Sequence, residues 1–149
     1  MVELYEGALD VPEIITRWYA QETAYNYGAY IPFIGTVRDE EGIEGLSFDI
    51  YAPILTTWFE TWQTKAAALG AKLKMAHSRG DVLLHESSYI AAVFSPKRRV
   101  ALELIEAFVE DFKASAPIWK YDLKNGQRRY AAERSTRITG AGILGGNVK

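Results

Sequence analysis

The chain has 149 residues, 48% of them hydrophobic, with no cysteine and a formal net charge of −2. That length and apolar content suit a single globular domain, 1–149, with a core of its own. Without a thiol there is no disulfide framework, thiolate nucleophile or thiolate metal site, so any sulfur chemistry must use sulfur brought by a partner. The acidic opening MVELYEGALD carries neither the basic nor the apolar region of a signal peptide, no apolar run reaches the roughly 20 residues of a membrane helix, and a cytoplasmic protein is expected. Asp10 is placed to cap a helix with Pro12 in its first turn, running toward Tyr25 before Gly28 breaks it. AYIPFIGTV (29–37) and LSFDIYA (46–52) read as strands flanking the acidic loop RDEEGIEG, and Pro32 gives the first an edge or irregular position. In the next helix Ile54, Trp58, Phe59, Trp62, Ala66 and Leu69 recur at helical spacing and Gly70 fits the C-terminal cap. Its aromatic residues read as core and not as a cofactor box.

AKLKMAH (71–77) and SSYIAAVF (87–94) read as strands around a loop SRGDVLLHE. SPKRRVALELIEAFVEDFK is the strongest helix signal: Ser95 as cap, Pro96 at the first helical position, and a stripe of Ala101, Leu104, Ile105, Phe108 and Phe112. It is expected to close at Lys113, because Pro117 forbids continuation. IWKYDLK and QRRYAAER then flank Asn125-Gly126, the dipeptide of a type I′ hairpin turn, with Asp122 opposite Arg129. Lys124 and Arg128 are assigned to the solvated surface of that hairpin. Alternating strands and helices give an α/β (α+β) class with a C-terminal β-hairpin. The glycine-rich tail from about residue 138 to 149 is expected to be mobile.

The charge is unevenly placed. Residues 1–96 carry 13 acidic against 6 basic side chains, whereas 97–137 carry 6 against 10. A basic block this modest excludes a typical duplex-DNA binder and suits a small phosphorylated or carboxylate ligand. Lys97, Arg98 and Arg99 fall at the start of a helix, where the macrodipole disfavours cations by about 0.3 to 1 kcal/mol each. Either these long side chains swing into water, or they and the free backbone N–H groups hold an anion. His77 and His85 make a poor zinc site without cysteines or an ordered carboxylate set. No metal and no cofactor are expected.

Several segments together resemble the catalytic (large) subunit family of molybdopterin synthase, from about Gly28 to Arg134. GAYIPFIGTVRD is similar to the family's glycine-led strand ending in F-x-G-x-V-R, and Tyr51 in DIYAP falls in its E-x-Y-P segment. His77 through Arg98 follows its pattern of a His-containing strand, a turn, a Val/Ile strand and S-x-H-R, and KASAPIWK matches K-x-x-A-P-x-W-K. Where the family has His-Arg at the helix start, this chain has Lys97-Arg98, which keeps a positive charge but has no imidazole acceptor.

The resemblance implies an α/β hammerhead fold and conversion of cyclic pyranopterin monophosphate (precursor Z) to the dithiolene molybdopterin. It implies that sulfur arrives as the C-terminal Gly-Gly thiocarboxylate of a ubiquitin-like small subunit, bound to each chain of a central homodimer. Carried over by motif, Lys113 and Lys120 are the catalytic candidates, and Arg38, Lys97, Arg98 and Arg134 are candidates for binding the substrate's phosphate and the developing oxyanion. Arg98 and Lys113 stand 15 positions apart on one predicted helix, about 22 Å, so a site using both would be composite between two subunits. The alternative is a module that binds a ubiquitin-like tail or a small phosphorylated ligand without turnover.

Overall fold

Strand β5 (Ser87–Ser95) is buried at every position, and the fold covers both of its faces. Tyr89, Ala91 and Val93 join one core while Ile90, Ala92 and Phe94 join the other, as the two-residue period of a strand requires. Helices α2 (Ala52–Ala68) and α3 (Arg98–Ser115) cover the first face through Leu55, Phe59, Trp62, Leu104 and Phe108. Helix α1 (Val11–Glu22) covers the second through Ile14 and Trp18. Asp10 caps α1 as expected, its Oδ1 accepting the Glu13 N–H at 3.2 Å, although the helix stops at Glu22, short of Tyr25.

The computed structural model describes residues 1–40 and 42–130, so the tail expected to be mobile lies outside the described residues. The other strands are β1 (Val2–Glu6), β2 (Ala29–Thr36), β3 (Gly45–Ile50), β4 (Lys72–Leu83), β6 (Ile118–Lys124) and β7 (Gln127–Tyr130). The sheet runs β2-β5-β4-β3-β6-β7, with β1 alongside β4. Each pairing is antiparallel apart from β1 with β4. This is the mixed α/β class the sequence predicts, and β2, the strand with Pro32, sits at the sheet edge.

Four local expectations are corrected. Residues 78–83 continue β4, which changes partners midway: Lys72–His77 lie against β5 and Gly80–Leu83 against β3. Gly80, at φ +75°, makes the bend, so a residue that reads as a turn works inside a strand. Strand β1 is absent from the sequence reading because its glutamates hide a two-residue alternation, Val2 and Leu4 against Glu3 and Tyr5. In α2 the buried stripe is Leu55, Phe59, Trp62 and Ala66, while Ile54 and Leu69 are exposed. Helix α3 begins at Arg98 and not at Pro96, since Ser95 still belongs to β5, and it runs two residues past Lys113. The Ser95 hydroxyl nevertheless acts as a local brace, accepting the Lys97 N–H at 3.2 Å and donating to the Lys97 carbonyl at 2.9 Å.

The aromatic segment of α2 is core: the rings of Trp58, Phe59 and Trp62 surround Phe108 at centroid distances of 5.1, 6.0 and 5.5 Å. In the hairpin, Asn125 and Gly126 both have positive φ, 51° and 70°, which a type I′ turn requires, and Asp122 pairs with Arg129 in register. Arg128 is better anchored than a solvated position predicts, donating to Asp49 at 2.8 Å and lying 4.0 Å from the Tyr121 ring. No helix among the described residues is long and apolar enough to cross a membrane.

A single carboxylate fastens β1 to α1. Glu3 accepts from the Arg17 guanidinium at 2.9 and 3.0 Å, from the Trp18 indole at 2.9 Å and from the Tyr5 hydroxyl. Burial alone would raise its pKa, but the hydrogen bonds from Arg17, Trp18 and Tyr5 outweigh burial and bring it to about 2. The folded value lies below the ordinary 4.5, so the stabilisation is complete above that pH and is lost as pH falls through about 2. Glu3→Gln should therefore lower Tm at neutral pH and flatten the fall in unfolding free energy between about pH 4.5 and 2, read from urea titrations across that range.

Candidate active site

KASAPIWK folds as a helix end, a corner and a strand start. Pro117 has no N–H to donate and disfavours helical backbone at Ala116, which is extended at ψ 141°. The corner is then tied down: Ala116 N–H donates to Phe112 C=O at 3.1 Å, Ile118 N–H to Ala116 C=O at 2.9 Å, and Tyr51 N–H to Pro117 C=O at 3.2 Å. Ala116 and Pro117 are both buried. Lys113, on the last turn of α3, and Lys120, in β6 opposite Phe48 of β3, therefore line the same cleft of about 310 Å³.

The interior of that cleft is aromatic and neutral. Tyr89 stacks on Phe112 with centroids 4.1 Å apart and planes 9° from parallel. His77 packs edge-on to Phe48 at 5.0 Å and against Tyr89 and Phe112 at 5.8 and 5.7 Å. Its Nδ1 lies 2.8 Å from the Ser78 carbonyl, an acceptor only, which places the ring proton on Nδ1. Burial lowers the His77 pKa to about 4 against the opposing effect of that hydrogen bond, so the imidazole is neutral at physiological pH. Burial likewise raises the Tyr89 phenol, whose hydroxyl has no hydrogen-bond partner among the described residues. At the mouth, Lys113 is exposed and Lys120 half-buried.

The two lysines predicted from sequence thus come together. The predicted arginines do not join them in this chain. Arg38 is 81% exposed and pairs with Glu40 at 2.6 Å outside the cleft lining. Lys97 and Arg98 are exposed at the opposite end of α3, and the unbroken helix sets Arg98 about 22 Å from Lys113. Arg134 lies outside the described residues. The two histidines differ in setting: His77 is in the buried sheet, whereas His85 is exposed in a turn at φ 70°. Two further depressions, one among Tyr19, Tyr25, Tyr27 and Tyr30 and one beside Asp10 and His85, contain none of the predicted site residues.

The family model described as MoaE protein matches residues 5–115, well over half of the chain. The chain belongs to the MoaE family. A molybdopterin synthase catalytic subunit of Helicobacter pylori (strain ATCC 700392 / 26695) is 51% identical over 144 residues, covering 97% of this chain and 99% of that one. A solved protein-protein complex of subunits 1 and 2 of molybdopterin-converting factor from Helicobacter pylori 26695 contains a chain that superposes with a TM-score of 0.91. That chain is 50% identical, and the match covers 96% of this chain and 98% of that one. Molybdopterin synthase from Staphylococcus aureus, at 23% identity and a TM-score of 0.73 over 86% of this chain and 94% of that one, shares the fold.

The MoaE match ends at residue 115 and so takes in Lys113 but not Lys120, whereas the full-length relatives extend beyond both. Sequence reasoning missed the cleft walls: Phe33, Phe48, His77, Tyr89 and Phe112 come from four strands and a helix. A partial signal was available, because His77 and Tyr89 occupy the same strand phase as residues facing α2 and α3.

His77 also makes stability pH-dependent. Its imidazole titrates near 6.5 in the unfolded chain and near 4 when folded, so the unfolded state takes the extra proton between those values. Stability should fall as pH drops from 6.5 to 4, and His77→Phe should remove that slope whatever its effect at pH 7. Denaturant unfolding at four pH values across the window provides the check.

Proposed function

We propose that the cleft between Lys113 and Lys120 is where a thiocarboxylated C-terminus meets cyclic pyranopterin monophosphate. On this reading the chain is the catalytic subunit of molybdopterin synthase, acting in molybdenum cofactor biosynthesis in the cytoplasm. What carries the reading is the convergence of the two lysines on one cleft with a neutral aromatic interior. The absence of cysteine supports it, because the sulfur then comes from the partner. So does the Helicobacter pylori structure, which is a complex of two subunits of molybdopterin-converting factor.

The chemistry requires a cation near an acyl group and a way to move protons. The thiocarboxylate sulfur forms a bond to a pterin side-chain carbon as a C–O bond of that carbon breaks, the oxygen leaving as water or staying on the phosphate as its ring opens. Water then replaces the sulfur on the acyl carbon, and the carrier leaves as a carboxylate. A dithiolene contains two sulfurs, so two carriers are consumed per product. Lys113 and Lys120 hold the anionic tail, stabilise the oxyanion formed when water attacks, and assist proton transfer. The apolar walls keep the remainder of the cleft dry, which strengthens those charge interactions.

A mixture of this chain, thiocarboxylated small subunit and precursor should form dithiolene, whereas inorganic sulfide without the small subunit should not. Lys113→Ala should lose most of that activity with Tm nearly unchanged, since its side chain is exposed, and Lys120→Ala should be impaired to a lesser degree. Sulfur transfer at the wild-type rate by both variants would make the two lysines solvated surface residues with no part in the reaction, whereas no dithiolene from the wild-type mixture would leave the chain a tail-binding module without turnover.

Arg98 enters the site only from a second subunit. Its separation from Lys113 along α3 supports an arrangement in which one chain's helix start meets the other chain's helix end. Mixing Arg98→Ala with Lys113→Ala protein should then restore about half of wild-type activity per mixed dimer, roughly a quarter overall after random exchange. No recovery, with mixed dimers confirmed by native mass spectrometry, would refute the cross-subunit arrangement.

A further inference from the structure

Helix α3 carries a carboxylate near the end where its macrodipole disfavours one. Asp111 is held there by three donors. The indole N–H groups of Trp58 and Trp62, both from α2, converge on its Oδ2 at 2.9 and 2.7 Å, and the Ser115 hydroxyl donates to Oδ1 at 2.9 Å. The next residue, Phe112, stacks on Tyr89 of β5 at 4.1 Å. Two adjacent residues therefore tie down the end of α3, Asp111 to α2 and Phe112 to the sheet. Lys113 follows immediately.

A helix terminus frays where its final carbonyls lack intrahelical partners. A lysine carried on that turn keeps a fixed aim only if the turn itself is fixed. We propose that Asp111 is a positioning residue: by gathering Trp58, Trp62 and Ser115 it locks the final turn of α3 and sets the direction of Lys113 into the cleft. The inference rests on the reading of Lys113 as a catalytic group. Asp111 acts through the geometry of its hydrogen bonds and not through its charge, so asparagine should replace it. The amide carbonyl can accept from both indoles and the amide N–H can donate to Ser115 Oγ.

The test uses the complex reconstituted from full-length chain, thiocarboxylated small subunit and precursor, at a temperature well below every Tm. Asp111→Ala should lower kcat by at least about tenfold with KM little changed, because a misplaced catalytic group loses rate without losing substrate contacts. Asp111→Asn should stay within about threefold of wild type. Glu3→Gln, which destabilises the opposite face of the sheet, serves as the control and should keep wild-type kcat. Wild-type kcat in Asp111→Ala, an Asp111→Asn loss as deep as that of alanine, or a parallel loss in Glu3→Gln would each overturn the proposal. If Asp111→Ala fails to fold, Trp62→Phe removes the shorter indole bond while keeping a ring, and an unchanged kcat there overturns it equally. Lys113→Ala is measured in the same series: full activity in that variant defeats the underlying assignment of the lysine, an outcome separate from an inactive Lys113→Ala combined with a fully active Asp111→Ala.

Discussion

Pro117 cannot donate a backbone hydrogen bond and disfavours helical backbone in the residue before it, and the whole cleft depends on that restriction. Because of it α3 gives way at Ala116, the chain turns through a buried corner, and β6 starts at Ile118 in antiparallel register with β3. A helix that ran one more turn would leave Lys120 without its place opposite Phe48, and Lys113 would have no partner across the cleft. At the corner the N–H groups of Ala116, Ile118 and Tyr51 donate to the carbonyls of Phe112, Ala116 and Pro117, which ties the turn to both α3 and the start of α2. The lysines are thus placed by main-chain geometry, and neither lies on a buried apolar stripe of its element.

The cleft divides its polarity by depth. Outside, Lys113 and Lys120 supply two positive charges against one exposed carboxylate, Glu110. Inside, the titratable groups are kept uncharged by burial: His77 as a neutral imidazole and Tyr89 as a phenol. On the proposed reading, an anionic end group is attracted to the rim, while a narrow, weakly polar segment is accommodated beneath it. Elsewhere the fold treats buried charge differently, since Glu22, 5% exposed, is met by Lys72 at 3.1 Å and Lys74 at 2.8 Å. Its pKa is lowered, the paired lysines outweighing the upward effect of burial. Charge is matched in the scaffold and is withheld from the cleft interior.

Much of this was legible in the sequence where one local rule governs. The stripe on α3, the Asn-Gly turn with its Asp122–Arg129 register and the edge position of Pro32 each follow from neighbouring residues alone. The rule failed where tertiary pairing overrode composition: Gly80 and Asp81 read as a turn, yet β4 continues through them because β3 is present to pair. The lysines were legible through the motif spacing around Ala116-Pro117. The aromatic walls were not, because they are assembled from elements far apart in the chain. Likewise nothing local connects Trp58 with Asp111, whose partnership exists only after α2 and α3 have docked on the same face.

The sheet order also bears on when the site comes into being. Strands β4 and β5 can meet as soon as both are made, but β2 waits for β5, β1 waits for β4, and β3 waits for β6, pairing Gly45 with Leu123. Such distant pairings impose a loop-closure cost before they return any contact energy, which slows folding relative to a chain of local hairpins. Lys120 belongs to the last of these closures. During synthesis from the N-terminus, a nascent chain can therefore complete most of its hydrophobic core on β4 and β5 while β3 still has one edge open, and it gains both lysines at the cleft only when β6 emerges and closes that edge.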